Sequence, residues 1–281
     1  MNKINVLVTG CGGDIGQSIG KILLESDLIA DLHGLDISDK NAAKFIFPTF
    51  QTSPRATDKE YIDFIANYVR LNHIDVVIPI AEPELRQYAL KGWNGQTIGS
   101  KVLFANRKAL HVGFDKMATV RFLENNGLAH PITMPIASGY DDIELPVIFK
   151  SRTGSGSKSI IHVEDYASYN FYMELYRTED FIIQEFIPAE EGEYTCGIFR
   201  STNGEIRTIT FLRELTGGYS GYGEIIESEA INRLLKNIAE VLDLRGSINV
   251  QLRLRDRVPY VFEINPRFSS TVYFRHLFGF K

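Results

Sequence analysis

The sequence predicts an α/β fold for the first third of its 281 residues and an α+β fold for the remainder. Through residue 105, short apolar runs rich in β-branched residues alternate with amphipathic helical stretches, which is typical of a doubly wound parallel sheet. Beyond residue 105, strand-like segments follow one another through turn residues, which favours antiparallel hairpins. The length fits two or three packed units.

The first third begins with an apolar run over residues 4–8, which predicts a buried parallel strand. Apolar residues then recur at helical spacing from Ile15 onward, so a helix is expected there. Thr57 and Glu60 have the spacing of a capping box, which predicts a helix from this point to about Leu71. Further strands are expected over residues 32–35, 74–80 and 101–105, and a short helix from residue 83.

The remainder opens with a predicted amphipathic helix over residues 115–126. Asn203 and Gly204 form a favourable turn dipeptide, which predicts a hairpin between residues 194–200 and 205–212. Further strands are expected over residues 146–150, 160–163 and 181–186, a second hairpin over residues 249–264, and helices from residue 165 and over residues 228–242.

Composition excludes several classes of protein. Hydrophobic residues make up 44% of the chain and charged residues 23%, which is ordinary for a globular protein. The net charge of −5 gives no reason to expect nucleic acid as a partner. Cys11 and Cys196 are too few for a disulfide framework or a zinc site. No apolar run is long enough to span a membrane, and the N-terminus has the pattern of a strand rather than a signal peptide, so a cytoplasmic protein is expected.

The loop after the first strand has the spacing of a dinucleotide site. Residues 9–16 fit Thr-Gly-x-x-Gly-x-x-Gly, and Asp36 follows twenty residues later, where an acid would hold a ribose. A short-chain reductase also needs a tyrosine four residues before a lysine, and none of the 13 tyrosines has one. An NAD(P)-dependent reductase therefore stays an alternative, and close packing of helix on strand is the favoured explanation of the glycines.

The second hairpin carries polar side chains where a buried strand is expected. With the turn centred on Arg257, Gln251 lies opposite Glu263, and strand alternation places Glu263, Asn265 and Arg267 on one face. Carboxylate and amide oxygens suit Mg²⁺, with Mn²⁺ as an alternative ion. An arginine beside such an ion suits a phosphoryl group in transfer. The hairpin therefore predicts a metal–phosphate site.

A second phosphate-binding element is expected around Lys150. This lysine ends a predicted strand, and a glycine- and serine-rich loop over residues 153–159 follows it. Backbone N–H groups of such a loop suit phosphate oxygens. The order of residues is not that of a P-loop, because no Gly-Lys-Ser/Thr opens a helix there. The candidates in the loop are Gly154, Ser155, Gly156 and Ser157.

These elements together resemble the ATP-grasp superfamily, most closely the carbamoyl phosphate synthase large-subunit type. The resemblance covers nearly all of one such unit, and it rests on the order of Lys116, Lys150 with its loop, Gln184-Glu185-Phe186-Ile187, Glu193, Gln251 and Glu263-x-Asn265-Pro266-Arg267. It implies a Rossmann-like pre-ATP-grasp domain over residues 1–110. It also implies an ATP-grasp N-terminal part with the lid over residues 111–186, and an antiparallel C-terminal half over residues 187–281. ATP would lie between the lid and this half.

The resemblance also implies a role for each matching residue. Lys116 and Lys150 correspond to lysines that contact ATP phosphates, Gln184 to Ile187 to the segment that binds adenine, and Glu193 to the acid that holds the ribose. Gln251, Glu263 and Asn265 correspond to the metal ligands, and Arg267 to the arginine at the reacting phosphate. Arg213 is a weaker candidate for the γ-phosphate or for a substrate carboxylate.

The implied activity is that of an ATP-dependent carboxylate–amine ligase. A small-molecule carboxylate would form an acylphosphate, and an amine would displace the phosphate, so that a C–N bond forms and ADP is released. An ATP-binding protein without turnover is an alternative, and the resemblance leaves a homodimer open. The sequence has no second ATP-grasp unit and no amidotransferase, so carbamoyl phosphate synthesis is not expected. The end of the chain soon after Arg267 is compatible with a short or a truncated member.

Residues that select the substrate are harder to assign. Glu82, Glu84 and Arg86 follow the fourth predicted strand, where open α/β sheets commonly bind ligands. They are the candidates in the first domain.

Overall fold

The computed structural model describes residues 3–138, 144–154, 160–217 and 219–280. Within them the chain forms one parallel and two antiparallel sheets, so the predicted change from α/β to α+β is confirmed. No helix in these ranges is long and apolar enough to cross a membrane. The first sheet contains β1 (Ile4–Thr9), β2 (Ile29–Asp36), β3 (Thr49–Thr52), β4 (Val76–Pro79) and β5 (Lys101–Val102).

The five strands of the first sheet are parallel and run in the order β3-β2-β1-β4-β5. Alternate residues of β1 enter different cores, since Val6 and Val8 belong to one apolar cluster and Leu7 to another. Helices therefore cover both faces, as a doubly wound sheet requires. These helices are α1 (Asp14–Leu24), α2 (Tyr61–Leu71), α3 (Glu82–Lys91) and α4 (Gly95–Ile98).

The predicted capping box is wrong. Helix α2 begins at Tyr61, and Glu60 occupies the N-cap position without a side-chain hydrogen bond to the helix. The preceding residues form a turn in which the Asp58 carboxylate accepts from the Arg55 N–H at 2.9 Å. Because this turn uses the chain before Tyr61, the helix starts three residues later than the spacing of Thr57 and Glu60 predicts.

A second, smaller sheet follows two helices, α5 (Arg107–Phe114) and α6 (Lys116–Asn125). Its strands are β6 (Thr133–Pro135), β7 (Val147–Ser151), β8 (Ile161–Val163) and β9 (Phe181–Glu185), antiparallel in the order β6-β9-β7-β8. Helix α7 (Tyr166–Leu175) packs on this sheet through Tyr169, which contacts Phe149 edge to face. The sheet has its own apolar core, built around Phe149 and Ile183.

The third sheet is antiparallel in the order β12-β11-β10-β13-β14. Its strands are β10 (Glu193–Arg200), β11 (Ile206–Thr216), β12 (Tyr219–Ile225), β13 (Gly246–Arg255) and β14 (Val258–Asn265). Alternate residues such as Val250 and Leu252 enter the largest apolar cluster, to which α5, α6 and α8 (Glu229–Val241) also contribute. The opposite face of the sheet lies away from this cluster. Helix α9 (Val272–Leu277) follows β14 in the chain.

The register of the second hairpin is as predicted at Gln251 and Glu263, which face each other. The turn itself is centred between Asp256 and Arg257, half a residue earlier than expected, and both residues have positive φ angles of 52° and 61°. A β-bulge restores the predicted pairing, because Leu252 faces Val261 while Gln251 faces Glu263. Phe262 is the extra residue of this bulge.

Candidate active site

A cleft of about 400 Å³ is lined mainly by residues of the second and third sheets. Apart from the candidates in the first domain, every predicted site residue that the structure describes lines it. These residues are Lys116, Lys150, Gly154, Gln184, Glu185, Phe186, Ile187, Glu193, Arg213, Gln251, Glu263, Asn265 and Arg267. Ser155, Gly156 and Ser157 lie outside the described residues. Positions more than 150 residues apart in the sequence are thus brought to one cavity.

The cleft face of the third sheet is built by strand alternation. On β13, Val250 and Leu252 enter the apolar core, so the residues between and beside them, Gln251 and Arg253, line the cleft. The bulge at Phe262 has a direct effect on this face, because both Phe262 and the adjacent Glu263 line the cleft. A regular strand would have sent neighbouring side chains to opposite faces.

The proposed metal ligands present oxygen atoms to the cleft. Among the described residues, neither the Glu263 carboxylate nor the Asn265 side chain has a hydrogen-bond partner. The Gln251 Oε1 accepts from Arg213 Nη2 at 3.0 Å. No three His, Cys, Asp or Glu side chains in the described part of the chain could hold a metal ion. A cation at this face would therefore depend on amide and ligand oxygens as well as on one carboxylate.

Lys150 lies at the end of β7 and is almost completely buried, with 6% of its surface exposed. Its Nζ donates to Gln184 Oε1 at 2.7 Å, and Gln184 Nε2 donates to Thr133 Oγ1 at 2.9 Å. Burial lowers the pKa of Lys150 to about 8, although the Glu263 carboxylate acts in the opposite direction. The amine is thus a cation held beside the cleft without a carboxylate in direct contact.

Lys116 is held at the root of the predicted phosphate loop. Its Nζ donates to the backbone oxygen of Gly154 at 2.7 Å, and burial lowers its pKa against the opposing influence of Glu263. The same root is fixed by Arg152, which makes a bidentate contact with Asp115 at 2.6 and 2.7 Å. Contacts from Lys116 and Arg152 therefore hold the described start of the loop.

Glu193 differs from its predicted role in one respect. Both of its oxygens accept pairs of hydrogen bonds, from Arg213 at 2.6 and 2.9 Å and from Arg253 at 2.6 and 2.8 Å. A carboxylate has about four lone-pair positions, so the side chain has no free acceptor in this arrangement. Binding of ribose hydroxyls by Glu193 stays a prediction, and it requires one arginine to move away.

The segment predicted to bind adenine carries a stacked arginine. The Arg253 guanidinium lies 5.0 Å from the Phe186 ring centroid and 5.7 Å from that of Phe262, and its Nη1 donates to the Ile187 carbonyl. Glu185 accepts from the Ile132 N–H at 3.0 Å. Two aromatic faces and a cation thus shape this end of the cleft.

Sequence reasoning missed several residues of the cleft, notably Thr195, Asn249 and Arg253. All three lie on the strand face that the predicted residues share. Asn249 and Arg253 are two residues before and after Gln251, so the alternation already used for Gln251 was the signal that could have found them.

The three candidates after the fourth strand do not line the cleft. Glu84 is buried and accepts from Tyr61 at 2.6 Å and from Thr9 at 2.7 and 2.8 Å. Arg86 donates to Glu82, and also to the backbone oxygen of Thr153 at 2.6 Å. These residues therefore hold the first domain together or support the root of the loop.

The glycine-rich loop is bonded to a side chain at the end of β2. The Gly12 N–H donates to Asp36 Oδ2 at 2.7 Å, so the acid expected to hold a ribose is bonded to the loop itself. A Cβ at Gly16 would lie 2.5 Å from the Cα of Cys11, so this glycine is required for close packing of α1 on the loop. Both observations favour the packing explanation. Asp14 and Ile15, at the start of α1, reach the edge of the cleft.

Known proteins resemble this chain in sequence and in fold. The large chain of carbamoyl phosphate synthase from Clostridium acetobutylicum is 25% identical over a 297-residue alignment that covers 95% of this chain. This chain spans about a quarter (27%) of the length of that relative. An ADP complex of N5-carboxyaminoimidazole ribonucleotide synthetase superimposes with a TM-score of 0.79 at 16% identity, covering 96% of this chain and 71% of that one.

Two further solved structures share the fold. N5-carboxyaminoimidazole synthetase from Staphylococcus aureus, complexed with ADP, has a TM-score of 0.77 at 13% identity and covers 99% of this chain and 74% of its own. The L-amino acid ligase from Bacillus licheniformis has a TM-score of 0.71 at 17% identity, with coverages of 97% and 70%. Residues 114–271, more than half of the chain, match the family model of the ATP-grasp domain. The chain belongs to the ATP-grasp family.

Proposed function

We propose that this protein is an ADP-forming ligase that activates a small-molecule carboxylate with ATP and joins it to an amine. The observation that carries this proposal is that one cleft collects two lysines, the segment predicted to bind adenine and an oxygen-rich strand face. Membership of the ATP-grasp family supports it. The named relatives include a synthetase bound to ADP and an amino acid ligase, which are consistent with the same chemistry.

The proposed nucleotide lies with its base at Phe186 and Ile187 and its phosphates towards Lys116 and Lys150. The rings of Phe186 and Phe262 line this end of the cleft, and a purine would contact them beside or in place of the Arg253 guanidinium that lies over both. The lysines supply the positive charge that binds an anionic polyphosphate. Three parts over residues 1–110, 111–186 and 187–281 would form the pre-ATP-grasp domain, the part with the lid and the C-terminal half.

Gln251, Glu263 and Asn265 would hold Mg²⁺, with Mn²⁺ as a second suitable ion. Their oxygens fit a hard cation, and those of Glu263 and Asn265 have no competing partner among the described residues. Mg²⁺ would supply charge neutralisation for the phosphates. Because Arg213 now donates to Gln251, we expect this guanidinium to move when a cation binds.

The chain's own residues would position and neutralise the reacting groups. Arg267 would contact the phosphoryl group in transfer, and Arg213 would contact that group or the substrate carboxylate. A carboxylate oxygen attacks the γ-phosphorus and the bond to the ADP oxygen breaks, giving an acylphosphate. The amine then attacks the carbonyl carbon, and phosphate leaves with the former carboxylate oxygen. No nucleophilic side chain is needed.

The fate of one oxygen atom tests this proposal. With a carboxylate labelled with ¹⁸O, Mg²⁺ and ATP, we expect carboxylate-dependent ADP release in a panel of amino acids and related acids. One labelled oxygen should appear in the released phosphate. Release of unlabelled phosphate during product formation would contradict the acylphosphate. Tight ATP binding without ADP release across the panel would favour an ATP-binding protein without turnover.

A further inference from the structure

Asn249 is a buried polar residue on the cleft face of β13, with no exposed surface. It lies between Gly197 of β10 and Asn265 of β14 in the strand register, and it lines the cleft. It lies two positions before Gln251 in the sequence, so it stands about 7 Å further along the strand. Its position is therefore next to the proposed metal ligands rather than among them.

The orientation of the Asn249 side chain is fixed by its neighbours. Its Oδ1 lies 2.5 Å from Arg275 Nη2 and 3.0 Å from Thr195 Oγ1. A guanidinium can only donate hydrogen bonds, so the atom that faces it must be the amide oxygen and not the nitrogen. The Nδ2 is consequently turned away from Arg275, and it has no hydrogen-bond partner among the described residues. Because Asn249 also lines the cleft, this buried donor without an acceptor favours a ligand that enters the cleft.

Arg275 adds a positive charge behind this amide. It is 98% buried, and no carboxylate among the described residues pairs with it. The guanidinium lies over Gly197, where a Cβ would come within 2.7 Å of Nη1, so the strand provides the room for it by lacking a side chain. An uncompensated buried cation favours an anionic ligand nearby.

The order of residues along β13 indicates which part of a nucleotide would reach Asn249. Arg253 contacts the Ile187 carbonyl at the proposed base end of the cleft. Gln251 follows, opposite Glu263, at the proposed metal position. Asn249 comes last, so a nucleotide extended along this strand places its outermost phosphoryl group there.

We propose that Asn249 Nδ2 donates a hydrogen bond to an oxygen of the terminal phosphoryl group of bound ATP, and that Arg275 is a positioning residue that holds the amide in this orientation. The inference rests on the proposed function and adds to it a donor specific for the triphosphate. Asn249 would make this contact only while the γ-phosphoryl group is present. It therefore favours ATP over the product ADP.

Asn249→Asp tests the contact with little change of shape. The carboxylate keeps an acceptor for Arg275 and Thr195, and it replaces the donor with an oxygen that repels phosphate. We expect the affinity for the β,γ-imido analogue of ATP with Mg²⁺, measured by calorimetry, to fall by about tenfold or more. The affinity for ADP with Mg²⁺ should change by less than about threefold, since ADP lacks the contacted group. Asn249→Ala should also lower the affinity for the imido analogue relative to the affinity for ADP, but by a smaller factor.

Arg275→Met tests the positioning role, because methionine fills much of the same space without donating a hydrogen bond. The affinity for the imido analogue, divided by the affinity for ADP, should fall as in Asn249→Asp. The double variant with both substitutions should show no further fall. A purely structural role would lower thermal stability and leave the ratio unchanged. Arg200→Met is the matched control, since Arg200 lies on the same strand as Gly197 but bonds Asp243 away from the cleft.

Three outcomes separate the inference from the function on which it rests. A selective loss of affinity for the imido analogue in both Asn249→Asp and Arg275→Met supports the inference. Equal loss of both nucleotides, or no change in either, overturns it while the proposed nucleotide site stands. If the unaltered protein binds neither nucleotide, the proposed function itself fails.

Discussion

Two regions of this chain carry residue types that bind nucleotides, and they differ in what those residues are bonded to. At the glycine-rich loop, the Gly12 N–H donates to the Asp36 carboxylate, so each group has a partner within the fold. In the cleft, the Glu263 carboxylate and the Asn249 amide nitrogen have no hydrogen-bond partner among the described residues. Polar groups without hydrogen-bond partners beside a cavity favour a ligand, whereas the bond between Gly12 and Asp36 accounts for that acid without one.

Residue type alone does not separate the two regions, because both contain an acidic side chain in a pattern that suits a nucleotide. The separation comes from bonding, which depends on the fold. A change that removes a group from the cleft should therefore affect ligands, and a change at the glycine-rich loop or its surroundings should affect stability. The predictions below examine this contrast from the largest expected effect to the smallest.

The largest effect is expected for Glu263→Gln. The substitution keeps size and an oxygen but removes the only carboxylate among the three proposed metal ligands. Turnover, measured as carboxylate-dependent ADP release, should fall by at least about a hundredfold. The melting temperature should stay close to that of the unaltered protein. Glu240→Gln on the exposed face of α8 is the matched control and should retain full turnover. Full turnover in Glu263→Gln would show that this strand face is not part of the active site.

An intermediate effect is expected from the titration of Lys150. Its free pKa of about 8 means that the protonated amine, which attracts phosphate, is lost as the pH rises above 8. The affinity for ATP with Mg²⁺ should therefore be nearly constant below pH 7. It should fall by up to about tenfold per pH unit above pH 8.

Lys150→Gln removes this charge but keeps a side chain able to donate to Gln184. Calorimetry between pH 6.5 and 9.5 should show weaker binding at pH 7 and a flatter pH dependence than in the unaltered protein. Lys150→Arg is the companion variant, because a guanidinium stays charged across this range. An unchanged slope in Lys150→Gln would show that another group causes the dependence.

The smallest effect on nucleotide binding is expected at Glu84 in the first domain, where the change acts on stability instead. Burial raises the pKa of this carboxyl to about 7, in spite of the hydrogen bonds from Tyr61 and Thr9. A folded-state pKa above the unfolded value means that ionisation destabilises the fold. Stability is thus fully present below about pH 4.5 and falls as the pH rises to about 7. The loss is at most about 3 kcal/mol.

Glu84→Gln should reduce the difference between the melting temperatures at pH 5 and pH 8. Nucleotide affinity should stay within about twofold of the unaltered value, because Glu84 does not line the cleft. The exposed Glu240→Gln should leave the pH dependence of melting as it is. A large loss of nucleotide affinity in Glu84→Gln would contradict the separation of the two regions.

Much of the fold could be predicted because hydrophobic periodicity fixes which face of each element is buried. The pairing of Gln251 with Glu263 was predicted correctly although the turn lies half a residue earlier than assumed. The bulge at Phe262 compensates for the shift of the turn. No local sequence pattern indicates this bulge, because it depends on what the strand packs against. The start of α2 was missed for a related reason, because Asp58 bonds back to Arg55.

The site could be predicted only in part. Residues on one strand face were predictable by alternation, and the order of motifs supplied the rest of the cleft. The bonds of Glu193 to two arginines were not predictable, because Arg213 and Arg253 reach it from separate strands. Arg275 was missed because its contact with Asn249 depends on how α9 packs over Gly197.

The most direct test of the central claim is calorimetric titration of ATP with Mg²⁺ into Asp36→Ala and Glu263→Gln. The nucleotide is proposed to bind at the third sheet and not at the glycine-rich loop. Asp36→Ala should bind ATP within about twofold of the unaltered protein, although it melts earlier because the Gly12 N–H loses its partner. Glu263→Gln should fold normally and lose the Mg²⁺-dependent part of the affinity. Loss of ATP binding in Asp36→Ala, together with full Mg²⁺-dependent binding in Glu263→Gln, would contradict the account and assign the nucleotide to the first loop.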